Sequence, residues 1–561
     1  MTKIKILVAW VLCLTVITTS FATINPERAK QKASRASALS ANTEINLRED
    51  CVAATAQTDQ NINNVRARLL TGGDVWWDPG SAEGRYIVPA PPVGSGLDEV
   101  SSLYAGAVWL GGLDPAGNLK VAATDYRSGG QLDFYPGPLE PATGLTDLPI
   151  CQQWDRFFEV ISSDIDVSIS DFEASRLLGI PYDDALIPDG VKFWPGNGNP
   201  FFFERYGFDL PNTGAGSLGA FWDEDQDGNY DPTLGDFPII DIRGCEPETR
   251  KEAKELIPDQ MIFWIYNDAG GPHSLTQGTA INMEIQVQSF AYATNDEVND
   301  MTFQRYKLIN RANTDIQETY FGMWVDPDLG CVTDDYSGCD IERSLAYTYN
   351  QDEWDGTVQG SPDCGGTPTY GDIVPLVGTD YFRGPTAPRI VVGSSAEGEL
   401  HVIVKGDEYD TSLYNEGDTL YLVDQELGDL NPPDIKVQLG MSSFMYYNNS
   451  NPAPPDPQTV DPSMADEYYN ILRGIWRDET PLTVGGTGYL SAGEQTRYAF
   501  FDPPNDPNGW SMAQEGLGFG DRRTVQASGP FLLKPGARNE LIIGAVWVPD
   551  VRHPNPDISR L

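Results

Sequence analysis

The sequence predicts an all-β protein: antiparallel β-sandwich units joined by long loops rich in Gly, Pro and Asp, with one or two short helices. Three observations carry this expectation. In MEIQVQ, Met283, Ile285 and Val287 alternate with Glu284, Gln286 and Gln288, the period of a half-buried strand. Short apolar or aromatic runs recur along the chain, among them SLYAGAVWLGG, MTFQRYKLIN, ETYFGMWVD, ELHVIVKG and TLYLVD, each bounded by turn-forming residues. The 56 Gly and 42 Pro require extensive loops.

The elements follow in chain order. Residues 1–22, MTKIKILVAWVLCLTVITTSFA, place Lys3 and Lys5 before a short apolar run that stops at the small residues Ser20 and Ala22, which predicts a signal peptide removed on export. Residues 23–60 are polar and poor in apolar residues, a flexible lead-in. At 561 residues the chain exceeds the ~250–300 at which single cores stop growing, so two or more packed units are expected. Residues 61–350 are predicted to form an N-terminal β-rich unit, starting at VRARLLTGGDVWWDPG, in which Asp114-Pro115-Ala116-Gly117 separates two apolar runs as a hairpin turn. Residues 351–385 read as a loop-rich connection, and 386–561 as a C-terminal β-rich unit with a long loop at 451–463. Two segments have helical spacing. PETRKEAKELI, from Pro247, is one; SMADEYYNILRGIW is the other, with Ser463 as N-cap and Met464, Tyr468, Ile471, Leu472 and Ile475 on one face.

The formal charge of −45 deepens to −47 once residues 1–22, which hold two lysines and no carboxylate, are removed. Such a field repels phosphate backbones and anionic lipid, which excludes nucleic acid and favours divalent cations. No later stretch is apolar for the ~18 residues that a membrane span needs, so none is expected after signal cleavage. Six cysteines then remain, Cys51, Cys151, Cys245, Cys331, Cys339 and Cys364, an even number that predicts disulfides in an exported chain. Cys331 and Cys339, close together around a turn-rich segment, are the expected pair. None has CxxC spacing.

The chemistry concentrates in FWDEDQDGNYDPTLGDFP. Counted from Asp223, the residues Asp225, Asp227, Gly228, Asn229 and Asp231 fall where an EF-hand calcium loop places its alternating oxygen ligands and its turn glycine. Leu234 stands where the bidentate acid belongs, and Asp236 would close the sphere two residues late. No helical pattern flanks the loop. The expected ligands are Asp223, Asp225, Asp227, Asn229, Asp231 and Asp236, and the expected cofactor is calcium, which suits many protein oxygens better than magnesium does. A second acidic cluster, Asp326, Asp328, Asp334, Asp335, Asp340 and Glu342, follows the ETYFGMWV run and matches no metal template; a solvated turn, calcium and a paired-carboxylate hydrolase site are its three readings.

Signals for catalysis are sparse. Only His273, His401 and His553 could serve as histidine bases, and HExxH, GxSxG and phosphate-loop motifs are absent; Ala215-Gly216-Ser217-Leu218-Gly219 comes nearest to the second. Trp76, Trp77, Trp154, Trp194 and Trp354 border loops and could stack on sugars, although core packing is the commoner role of Trp in a β-rich protein. The expected function is that of a non-enzymatic, calcium-stabilised secreted or cell-surface protein in adhesion or contact with a glycan or other surface polymer. The alternative is a secreted polysaccharide hydrolase with paired carboxylates.

The strings VRARLLTGGDVWWD, YAGAVWLGGLDPAGNLKVAATDYR, DEDQDGNYDPTLGDFP, FAYATNDEVNDMTFQRYKLINR, YFGMWVDPDLG and GFGDRRTVQASGPFLLKPG resemble large secreted proteins of Bacteroidetes-type bacteria that carry a C-terminal type IX secretion sorting domain. The resemblance spans most of the chain from about residue 60. It implies export across the outer membrane and release or attachment at the cell surface, and no particular activity. In such proteins the GPFLLKPG segment precedes further β modules and the sorting domain. This chain ends at HPNPDISRL ahead of both, as expected of a fragment or truncated product.

Overall fold

Two antiparallel sheets hold most of the strands, and a computed structural model describes residues 49–211, 218–240, 257–357, 364–387, 389–391, 400–404, 419–423, 437–450, 454 and 456–549. The predicted signal peptide, the PETRKEAKELI helix, Cys245 and His553 lie outside the described residues, as do most of the lead-in and the serine of the AGSLG segment. Strand exceeds helix by 34% to 13%, which bears out the predicted fold class.

The first sheet runs in the order Ser443–Asn448, Arg522–Leu533, Ile316–Asp326, Ala105–Leu113, Asp74–Val75, Arg66–Leu70, Tyr86–Ile87 and Ser101–Leu103. Leu119–Ala123 pairs with Ala105–Leu113 across the predicted hairpin, whose turn closes by Gly117 N donating to Asp114 O at 2.8 Å. Gln57–Gln60 pairs with Arg66–Leu70, so the end of the predicted flexible lead-in is a strand. The second sheet runs Tyr135–Pro136, Gln260–Asn267, Met283–Ala291, Thr302–Asn310, Arg538–Val548, Leu376–Arg383, Leu345–Asn350 and Asp335–Asp340, with Phe158–Ile161 paired to Gln260–Asn267.

The expected division at residues 351–385 does not separate two units. Arg522–Leu533 lies between Ser443–Asn448 and Ile316–Asp326, and Arg538–Val548 lies between Thr302–Asn310 and Leu376–Arg383, so both sheets are completed by late strands. The described residues from Asp50 onward cluster as one compact unit. The inner faces meet in one core, where Phe321 of the first sheet contacts Tyr306 and Tyr381 of the second at centroid distances of 5.4 and 6.4 Å.

Each outer face is also covered. On the first sheet the helix Ala465–Leu472 lies over Gly111 and Gly322; a Cβ at either would come within 2.5 Å of Tyr469 or 2.4 Å of Leu472. This is the predicted second helix, but its N-cap is Met464 rather than Ser463. Ser463 lies one residue before the cap, and both its amide and its hydroxyl donate to Glu467, at 2.7 and 2.8 Å.

On the second sheet an insertion between Tyr135–Pro136 and Gln260–Asn267 carries the cover. It contains the helices Leu148–Trp154, Ser162–Leu178, Asp189–Lys192 and Phe202–Tyr206. As expected, Met283, Ile285 and Val287 face the inter-sheet core. Glu284, Gln286 and Gln288 are buried as well, because this outer face is covered and supplies partners: Arg311 pairs with Glu284 at 3.0 Å, Leu218 N donates to Gln286 at 3.1 Å, and Gln288 donates to Ile239 O at 2.8 Å.

Asp380, in the strand Leu376–Arg383, shows what burying charge here costs. Burial, with the nearby charge of Asp340, pushes its carboxyl up to about 7, and its Oδ1 is buried without a hydrogen-bond partner. Because the folded pKa exceeds the unfolded one, this residue's contribution to stability is fully present below about pH 4 and is lost as pH rises to about 7. Asp380→Asn should therefore stabilise the protein at pH 8 by about 1 kcal/mol after allowance for solvent screening, seen as a higher melting temperature, and leave the melting temperature unchanged at pH 4. Thermal unfolding of both proteins at the two pH values checks this.

Candidate metal centre

The acidic loop is closed at its base by the paired strands Phe221–Trp222 and Phe237–Pro238. It docks on the preceding segment through Tyr230 N, which donates to Asn197 O at 2.6 Å, and Asn197 Nδ2, which donates to Gly228 O at 3.1 Å. Tyr230 is fully buried beneath it, its hydroxyl donating to Val191 O at 2.5 Å. The helix Ser162–Leu178 supports the closing turn. Gly235, at φ +102°, lies so close to Phe172 that a Cβ would come within 2.5 Å of the ring, and Arg176 pairs with Glu224 at 3.3 Å.

Asp223, Asp225 and Asp227 each present a carboxylate oxygen within 4.8 Å of the others. Asp223 also shapes the turn, accepting from Asp227 N at 3.2 Å and Gly228 N at 2.8 Å. Gly228, at φ +81°, makes the sharp turn that a side chain would resist. Asn229 follows at the rim, its amide donating to Asp227 Oδ1 at 2.7 Å.

The last two residues of the predicted ligand set also accept main-chain hydrogen bonds. Asp231 caps the short 3-10 helix Pro232–Leu234, accepting from Thr233 N at 2.9 Å. Asp236 is buried and bridges the two limbs of the loop, accepting from Glu224 N and Asp231 N at 2.8 Å each. Burial pushes its carboxyl up to about 7 despite those two bonds, with the charges of Asp223 and Asp225 adding to the rise. The loop thus gathers the carboxylates of Asp223, Asp225 and Asp227, while Asp231 and Asp236 also hold its shape.

The second acidic run is dispersed by the fold. Asp340 forms an ion pair with Arg343, Asp335 accepts from Leu329 N at 2.9 Å, and Asp334 accepts from Gly356 N at 3.1 Å. Asp326 and Asp328 stay together and are joined by Asp521, which sequence spacing could not find because it is far along the chain.

The expected Cys331–Cys339 disulfide is not formed. Cys331 pairs with Cys364, and Cys51 with Cys151. Cys339 lies within the strand Asp335–Asp340, and a strand's rise of about 3.3 Å per residue carries it away from Cys331, into the core as a free thiol.

Four of the five tryptophans considered for sugar stacking, Trp76, Trp77, Trp154 and Trp194, are at most 4% exposed, whereas Trp354 is 39% exposed. His273 is buried with both ring nitrogens 2.7 Å from main-chain oxygens, of Val121 and Asp268, which leaves neither for a substrate. The side chain of His401 lies outside the described residues. No protein-family model matches the chain, and no curated protein matches its sequence.

Proposed function

We propose that the protein is a calcium-stabilised, non-enzymatic β-sandwich protein of the cell exterior that contacts a glycan or other surface polymer. The observation that carries the calcium reading is the Asp223, Asp225 and Asp227 cluster, three carboxylates within 4.8 Å on a loop that turns at Gly228. Calcium bridging them removes a repulsion of about 1 kcal/mol per pair even at water-like screening. Two disulfides support an oxidising compartment, and no helix among the described residues is long and apolar enough to cross a membrane. The resemblance to type IX secreted proteins supports the same destination. Trp354 offers an exposed ring on which a sugar could stack.

Calcium bound only by the folded loop stabilises it by about 2.7 kcal/mol when free calcium is 100 times Kd, and extracellular modules bind with Kd of roughly 10⁻⁴ to 10⁻³ M. Chelation should lower the melting temperature and millimolar calcium restore it. Asp225→Ala with Asp227→Ala should remove the part of that shift due to this loop, while sodium chloride at matched ionic strength has the same effect on both proteins. An unchanged calcium response in the double variant sinks the assignment.

The hydrolase reading has one observation in its favour, the Asp326 and Asp328 carboxyl pair. A polysaccharide panel separates the two functions: a binding protein retains a polymer and leaves it intact, and Trp354→Ala weakens that retention, whereas a hydrolase releases reducing ends.

A further inference from the structure

Asp326 is the last residue of its strand, one register step beyond the Val325–Thr524 pair, and lies on the outer face of the first sheet beyond Trp324. Arg523 faces it from the neighbouring strand, with Nη2 3.5 Å from Asp326 Oδ2. Tyr126, packed edge-on against Trp324 at 5.1 Å, donates its hydroxyl to that same oxygen. Arg523 also pairs with Asp521 Oδ1 and donates through Nε to the Tyr126 oxygen at 3.1 Å, while Asn449 Nδ2 donates to Asp521 Oδ2 at 2.6 Å.

This leaves an imbalance. Asp326, Asp328 and Asp521 bring one oxygen each within 4.8 Å of one another, against the single guanidinium of Arg523. Independently, Asp326 is only 2% exposed and its Oδ1 is buried with no hydrogen-bond partner, although a buried carboxylate oxygen ordinarily has a donor or a cation.

We propose that Asp326, Asp328 and Asp521 hold a calcium ion at a second centre, distinct from the acidic loop. The donors are all hard oxygens, and their spread is within the reach of two calcium–oxygen bonds of about 2.4 Å. Asp326 Oδ1 supplies the buried ligand, and the partly exposed Asp328 and Asp521 give the ion a path from solvent. The ion would lock the ends of two central strands of the first sheet together.

The test uses the full chain carrying Asp225→Ala and Asp227→Ala, which removes the loop site. Bound calcium is counted by equilibrium dialysis, and terbium(III) serves as a luminescent stand-in, sensitised by Trp324 and Tyr126. The expected result is one calcium per chain and terbium emission that calcium displaces, both lost on adding Asp521→Asn and, separately, Asp328→Asn, in proteins whose near-ultraviolet circular dichroism shows native packing. A loop variant that binds no calcium overturns the proposal and leaves a shared proton on Asp326 and Asp328; binding that survives both substitutions overturns it too. Should the wild type bind the same single ion as the loop variant, the loop assignment fails and this one stands.

Discussion

Replacing Cys51 and Cys151 together by Ser is expected to lower the unfolding free energy by about 4 kcal/mol. The bond closes a loop of sequence separation 100, for which chain entropy alone gives about 4.7 kcal/mol, and removing native disulfides typically costs about 2–5. It ties the first described residues to the helix Leu148–Trp154, where Cys151 is buried. Besides the crosslink, that segment is held by hydrogen bonds, among them Cys51 N to Gly270 O at 2.8 Å, Thr55 N to Asp155 at 2.8 Å and Ala56 N to Asp155 at 3.1 Å, and by a small apolar cluster of Cys51, Leu132, Tyr135 and Cys151. Each hydrogen bond contributes about 1 kcal/mol net, so without the crosslink residues 50–56 should be held weakly ahead of the strand Gln57–Gln60, which stays paired with Arg66–Leu70. Urea unfolding measures the difference; a loss below about 1 kcal/mol would show that these bonds suffice.

Trp109→Ala is expected to cost about 3–5 kcal/mol, the range for truncating a large buried aromatic residue. The indole lies between the first sheet and the helix Ala465–Leu472. It stacks with Trp324 and with Tyr447 at centroid distances of 6.3 Å each and meets Tyr468 edge-on at 4.6 Å. Its Nε1 donates to Thr124 O at 2.9 Å, so truncation leaves a cavity and an unpartnered carbonyl. The neighbouring Gly111 and Gly322 show how closely the helix approaches, which limits the collapse that could fill that cavity. Denaturant unfolding should give a lower midpoint with an unchanged slope. Equal stability of the variant would mean that the helix is not anchored through this ring.

Local patterning made part of this fold legible. The hairpin at Asp114–Gly117 follows from turn chemistry within the segment, and the helix Ala465–Leu472 from the spacing of Tyr468, Ile471 and Leu472. The helix Ser162–Leu178 was not legible in the same way. Its DIDVSIS stretch alternates like a strand, while Ile165, Ile169 and Phe172 also share a helical face. The covered outer face of the second sheet settles that ambiguity, since Ile165 and Ile169 are buried there and Val167 is left 47% exposed.

Of the candidate centre, the spacing by itself determined the tight turn at Gly228 and the gathering of Asp223, Asp225 and Asp227, because residues two apart in a narrow loop are brought together by the backbone alone. Tertiary structure decided the rest. It turned Asp231 and Asp236 toward main-chain amides, moved the disulfide from Cys339 to Cys364, completed both sheets with strands from beyond residue 520, and brought Asp521 and Arg523 to Asp326. The physical reason is range. Turns and helical faces are set by bonds and contacts within a few residues, whereas strand neighbours, buried-charge partners and crosslinks depend on which distant segments the shared core packs together.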